Sequence, residues 1–177
     1  MKKNEWLIAA AAGAGITAIA YALLSKDNIP KGAEAVQPFN KNRYMGKWYE
    51  VARMPSLIEK NLRGVTEDYS LNDDGTIKVI TKGYNVDKGK IKEATGKIKF
   101  AGAEYVGMLK VSYLGPFYAA YNILDLDADY QYALVSSSGV DYLWVLSRQT
   151  TVPDHIRTQF LNKAAAIGFD IGKLEWV

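Results

Sequence analysis

Eight short runs rich in β-branched, aromatic and aliphatic residues follow one another between residues 46 and 148, with a break after each. No other feature of the chain narrows its fold as much. The runs span residues 46–53, 65–71, 77–84, 91–100, 105–113, 117–126, 130–136 and 142–148. Most of the breaks are turn sequences: Asn72-Asp73-Asp74-Gly75, Asp87-Lys88-Gly89-Lys90, Ala101-Gly102, Leu114-Gly115-Pro116, Asp127-Ala128-Asp129 and Ser138-Gly139. Glycine supplies positive φ in such turns, proline fixes φ, and Asp or Asn bonds its own backbone. Strands joined this tightly lie antiparallel and beside their sequence neighbours. A meander of this kind either closes on itself or leaves two unpaired edges. The spacing therefore predicts an all-β domain, an eight-stranded up-and-down antiparallel meander whose closed form is a barrel.

One helix follows. Pro153 suits its first turn, Asp154 favours its positive end, and Ile156, Phe160, Ala164 and Ile167 form one apolar stripe ending at Gly168. That stripe is expected to pack on the outside of the barrel. Residues 169–177 alternate weakly, as a short extra strand would.

The N-terminus is a separate object. Lys2 and Lys3 precede an uncharged run from Trp6 to Leu24, long enough for one membrane crossing as a helix. Ala18-Ile19-Ala20 has the small-x-small pattern of a cleavage site. Residues 1–25 are thus expected to be a signal peptide or an N-terminal membrane anchor, the anchor being favoured because the apolar run continues past the site. Residues 26–38, with Pro30, Gly32 and Pro38, are expected to be a linker.

Composition removes several chemistries. The 22 basic residues are scattered among 19 acidic ones, which is no nucleic-acid footprint. The chain has no cysteine, so disulfides, thiolate metal sites, thiol nucleophiles and a lipid attached through a cysteine of these residues are excluded. His155 is the one histidine, in the first turn of the helix, where a solvated surface position is expected. One such residue builds neither a supported serine nucleophile nor a metal cluster.

Gly46-Lys47-Trp48-Tyr49-Glu50 opens the first strand, and Tyr142-Leu143-Trp144-Val145-Leu146-Ser147-Arg148 closes the last before the helix. With Lys82-Gly83-Tyr84-Asn85 and Gly115-Pro116-Phe117-Tyr118, these signatures in this order resemble the lipocalins, in particular the bacterial group related to apolipoprotein D. The resemblance covers about residues 39–177, the expected lipocalin domain. It implies a calyx barrel closed at its base by Trp48, with Arg148 over the indole ring and Gly46 at the strand entry as structural signature. It also implies reversible binding of a small apolar ligand, a fatty acid or lysophospholipid, in upkeep of the cell envelope under stress. Many bacterial relatives carry an acylated cysteine that is missing here. The expected location is therefore a periplasm-facing inner-membrane anchor or the soluble periplasm.

Inward positions follow from the period of two along a strand. Trp48 then shares a face with Ala52, while Tyr49, Val51 and Arg53 take the other. Tyr142 goes inward with Trp144; Tyr118 with Ala120 and Asn122. Tyr69, Val79 and Tyr105 are placed inward on their own strands. Those eight residues, from Tyr69 to Trp144, are the candidate ligand contacts, and no metal or cofactor is expected. Two other classes stay open. An inward Glu67 would be the acid of an enzyme acting on a lipid or isoprenoid. Apolar rim residues Leu57, Ile58 and Leu62 would serve an interaction module, a membrane contact or a homodimer.

Overall fold

A computed structural model describes residues 28–55 and 61–177. The expected N-terminal apolar helix, and Leu57 and Ile58, lie outside the described residues. The order is α1 (Lys41–Tyr44), β1 (Gly46–Arg53), β2 (Leu62–Leu71), β3 (Ile77–Asn85), β4 (Lys90–Phe100), β5 (Met108–Leu114), β6 (Phe117–Leu126), β7 (Tyr132–Ser136), β8 (Leu143–Ser147), α2 (Asp154–Ile167), a 3-10 turn (Ile171–Lys173) and β9 (Glu175–Trp176). Each strand of the meander pairs antiparallel with the next, and β1 pairs with both β2 and β8. The barrel is closed, which removes the exposed edges an open meander would leave.

Two apolar layers hold it. The inner one joins Trp48, Tyr69, Val79, Ile98, Ile123 and Leu146. The outer one lies between the wall and α2, where Ile156, Phe160 and Ala164 meet Leu124, Leu134 and Val145. Helix α2 ends as its sequence predicts. Gly168 adopts φ 107°, and its N–H bonds the carbonyls of Ala164 and Ala165. The weakly alternating tail adds β9, which pairs with Ala52 and Arg53 of β1.

Two expected strands start two or more residues inside their apolar runs. The run at 105–113 starts its strand only at Met108, because residues 103–106 form a turn closed by Val106 N–H on the Ala103 carbonyl. The run at 130–136 starts at Tyr132, because Asp127 gathers the N–H groups of Gln131 and Tyr132 and Tyr130 takes φ 59°.

The described part of the segment read as a linker is docked on the wall. Ile29 and Ala33 pack on the α2-side layer. Val36 N–H donates to the Ile123 carbonyl, and the Val36 carbonyl accepts from Gly107 N–H, each at 2.9 Å. A Cβ at Gly107 would come within 2.8 Å of the Val36 side chain, so glycine lets the segment lie flat.

The β1–β2, β3–β4, β5–β6 and β7–β8 connections share one end of the barrel. The β2–β3, β4–β5 and β6–β7 connections share the other, where α1 lies. Trp48 and Arg148 sit at the α1 end, which is closed.

Candidate ligand-binding site

The closed end is built from β1, β8 and α1. Asn40 caps α1 by accepting from the Asn42 and Arg43 N–H groups. Trp48, fully buried, donates its indole N–H to the Tyr44 carbonyl at 2.9 Å. The Arg148 guanidinium lies 3.9 Å from the centre of the Trp48 ring. It also donates to the carbonyls of Lys47 at 2.9 Å, Arg43 at 3.0 Å, Tyr44 at 3.2 Å and Met45 at 2.8 Å. One side chain thus covers the plug and ties up the carbonyls at the end of α1. Gly46 holds φ +90°, and a Cβ there would meet the Arg148 guanidinium at 3.4 Å.

Above the plug, a narrow cavity of about 30 Å³ runs along the barrel interior. Its wall is largely apolar, from Val79, Ile98, Val111, Val135, Trp144 and Leu146. Glu67, Tyr69, Tyr113 and Tyr121 add the polar groups that ligand sites use to fix orientation.

The polar floor is a chain of phenols. Tyr69 donates to Glu67, Tyr69 and Tyr121 hydroxyls lie 2.8 Å apart, and Tyr121 and Tyr44 hydroxyls 2.7 Å apart. Each phenol has one proton. With the Tyr69 proton committed to Glu67, Tyr121 must donate to Tyr69 and Tyr44 to Tyr121. Burial pushes the pKa values of all three phenols up; the nearby Glu67 raises that of Tyr69 next, and Tyr44 that of Tyr121. The three stay neutral donors across the physiological range.

A bulge in β1 adds a buried ion pair. Glu50 pairs in register with Leu146 and Arg53 with Trp144, both cavity residues, while Ala52 pairs with Val145 of the outer layer. The extra residue between Glu50 and Ala52 shifts the alternation, so Arg53 faces inward with Glu50, against the expectation from simple alternation. Its guanidinium lies 2.6 Å from the Glu50 carboxylate and donates to the Leu62 carbonyl at 2.9 Å.

Of the expected contacts, Tyr69, Val79, Ala120 and Trp144 border the cavity. Four others lie elsewhere. Tyr105 sits in the turn before β5 at the closed end, 62% exposed. Tyr118 lies under the Lys99 ammonium, 4.1 Å from its ring centre, and Asn122 bonds the Asn28 and Ser137 carbonyls on the outer wall. Tyr142 lies at the open end before β8, stacked 6.1 Å from Trp144. On β6 the side chains in the interior cluster are those of Ala119, Tyr121 and Ile123, one residue off the expected register, although Ala120 also borders the cavity. Both faces of this strand are buried, one by the barrel interior and one by α2 and the docked segment, so its sequence carries little polar contrast. Leu62, expected on the rim, is 2% exposed and buried beside Val65.

Sequence reasoning missed Tyr44 and Tyr121. Tyr44 lies on α1, outside any strand period. Tyr121 was hidden by the register slip. Among the described residues, no group of three or more His, Cys, Asp or Glu side chains has metal-site geometry.

A closed eight-stranded barrel with a plugged base and a mostly apolar interior slot is a calyx, the class of fold that encloses one small ligand. The chain belongs to the lipocalin-like domain family, whose model matches residues 39–177. It is 46% identical over 148 residues to the outer membrane lipoprotein Blc of Escherichia coli K12, covering 84% of each chain. Apolipoprotein D of Mus musculus is 29% identical over 144 residues, covering 77% of this chain and 75% of that one. The solved structure of the cockroach allergen Per a 4 superposes with a TM-score of 0.67 at 20% identity, over 85% of this chain and 95% of that one. Members of the family are generally binding proteins.

Proposed function

We propose that the calyx carries one single-chain lipid, a fatty acid or lysophospholipid, reversibly, in maintenance of the cell envelope under stress. The observation that carries this reading is the apolar slot itself, walled by Val79, Ile98, Val111, Val135 and Leu146 and closed below by Trp48. The acyl tail lies in the slot and the polar head at the open end. A fatty-acid carboxylate lodged at the floor would instead face the acidic side chain of Glu67.

Chain burial supplies the affinity. Ten buried methylenes gain about 8 kcal/mol, which corresponds to about micromolar binding, and a longer chain offsets the cost of association. A volume of about 30 Å³ has room for only about two waters, so wall side chains swing aside as the tail enters. An unbranched chain asks for the smallest such opening.

Similarity to an outer membrane lipoprotein supports a place in the cell envelope. These 177 residues contain no cysteine to acylate, so residues 6–24 supply the membrane attachment on this reading, with the barrel facing the periplasm. Fractionation of cells expressing a tagged form tests the anchor: recovery in the soluble periplasm with a new N-terminus near Tyr21 overturns it.

Titration with a lysophospholipid, followed by tryptophan fluorescence and native mass spectrometry, tests the cargo. Saturation near one equivalent and a one-to-one complex are expected. An unchanged spectrum with no complex overturns the reading.

A further inference from the structure

The open end carries an unusual surface. Ile91 is 70% exposed, and Tyr84, Val86, Leu114, Phe117 and Val140 are between 39% and 46% exposed. These six come from the β3–β4, β5–β6 and β7–β8 connections and the strand ends beside them, so the topology gathers them on one rim. Tyr84 and Ile91 are register partners at the tip of the β3–β4 hairpin, and Leu114 and Phe117 are partners at the tip of β5–β6. Two hairpin tips therefore present apolar pairs to solvent, where turn tips ordinarily carry polar residues.

The β3–β4 tip is also basic. Between residues 86 and 92, Lys88, Lys90 and Lys92 stand with one acid, Asp87, while Asp141 follows Val140 on the β7–β8 connection. The closed-end loops, 72–76, 101–107 and 127–131, hold Asp73, Asp74, Glu104, Asp127 and Asp129 and no lysine or arginine. Those acids are matched by neighbouring cations: Lys97 pairs with Asp74 and Lys41 with Glu104, and Arg43 and Arg148 lie over Tyr130 and Trp48. At the rim, burial and then the like charges of Lys88 and Lys90 lower the pKa of Lys92, a repulsion that an anionic surface would relieve.

We infer that the open rim docks onto an anionic phospholipid bilayer, with the apolar hairpin tips set among the headgroups and the three lysines against lipid phosphates. Apolar residues interleaved with lysines match an interface of acyl boundary and negative headgroups. In that pose the calyx opens directly onto the membrane, and a single-chain lipid passes between the two without crossing water. This docking is independent of the cargo: a barrel whose calyx stays empty docks in the same way, so failure of one reading leaves the other standing.

The absence of cysteine gives a clean test on the full chain. Ile91→Cys, Val140→Cys and, at the closed end, Asp73→Cys are each labelled with an environment-sensitive fluorophore. All three share whatever attachment residues 6–24 provide. Vesicles are phosphatidylcholine alone or with about one-third phosphatidylglycerol. With the anionic vesicles, the probes at 91 and 140 shift to the blue and are quenched by brominated lipid at least about twofold more than the probe at 73. Lys88→Glu/Lys90→Glu/Lys92→Glu returns the rim probes to their values in water. Equal responses at both ends overturn the inference. So does a rim shift that appears without vesicles and grows with protein concentration, which would make the rim a contact between two copies.

Discussion

Glu50 and Arg53 stand three residues apart on one strand, yet both face the barrel interior, joined at 2.6 Å. In a regular strand, positions i and i+3 point to opposite faces. The bulge at Val51 is what brings the carboxylate and guanidinium together inside. Both side chains are at most 3% exposed.

Removing one partner leaves the other charge buried. Glu50→Ala or Arg53→Ala is expected to cost about 3–5 kcal/mol in urea unfolding. Replacing both together with apolar residues, Glu50→Leu/Arg53→Met, is expected to cost much less than the two single losses added. Additive losses would show that the pair is not coupled.

Arg148→Ala removes both the contact with Trp48 and the donors to the carbonyls around α1. A loss of about 2–3 kcal/mol is expected, and Arg148→Lys recovers only a part of it, because an ammonium cannot both lie flat on the indole and fork to several carbonyls. Gly46→Ala, strained at φ +90°, is expected to lose about 1 kcal/mol or more. Thermal or urea unfolding of each variant checks both figures.

The phenol chain predicts an alkaline limit. Burial raises the pKa values of Tyr44, Tyr69 and Tyr121 above the unfolded value of about 10. Their contribution to stability is whole below that pH. It is lost as pH rises above it, because the unfolded chain then releases protons the folded one retains. Melting temperature should hold between about pH 7 and 9 and fall above 10. The fall should be shallower in Tyr69→Phe/Tyr121→Phe, and absorbance of phenolate should show the buried set ionising only with unfolding.

The register of β6 separates inner from outer contacts. Trp144→Ala is expected to weaken lysophospholipid binding about tenfold, the loss of about 1.4 kcal/mol of apolar contact. Tyr118→Ala and Tyr105→Ala are expected to leave it unchanged. Calorimetry avoids the loss of the Trp144 signal; equal effects from all three would overturn the assignment of the calyx wall.

Glu67→Gln keeps the shape of the floor and removes its charge. In a carrier it changes affinity, and by the same factor for a fatty acid and a neutral-headed lipid of the same chain, since both heads lie at the open end; a gain confined to the fatty acid would place its carboxylate at the floor. In an enzyme it abolishes turnover. Product formation by the native protein from a lipid substrate, lost in this variant, would overturn the carrier reading.

How much of this was legible in the residues follows from which signals are local. Turn chemistry at Asn72-Asp73-Asp74-Gly75 and Gly115-Pro116, together with alternation in β3, specified strands and their order. The helix from Asp154, with its stripe and its glycine stop, was equally plain. Alternation failed on β6, where α2 and the docked segment bury the outer face as fully as the calyx buries the inner one. It failed again on β1, where no residue type announces the bulge.

The sequence by itself determined an eight-stranded meander followed by a helix, because hairpin turns and the period of two are written in near neighbours; closure came from the pairing of β1 with β8. Only the tertiary structure decided which side chains look into the calyx. Facing depends on register and on one inserted residue, and those are set by pairing across strands: Arg53 with Trp144, Glu50 with Leu146, Tyr121 with Leu109. The meeting of Tyr44, Tyr121, Tyr69 and Glu67 has the same origin, since three separate elements converge there and no single stretch of chain records it.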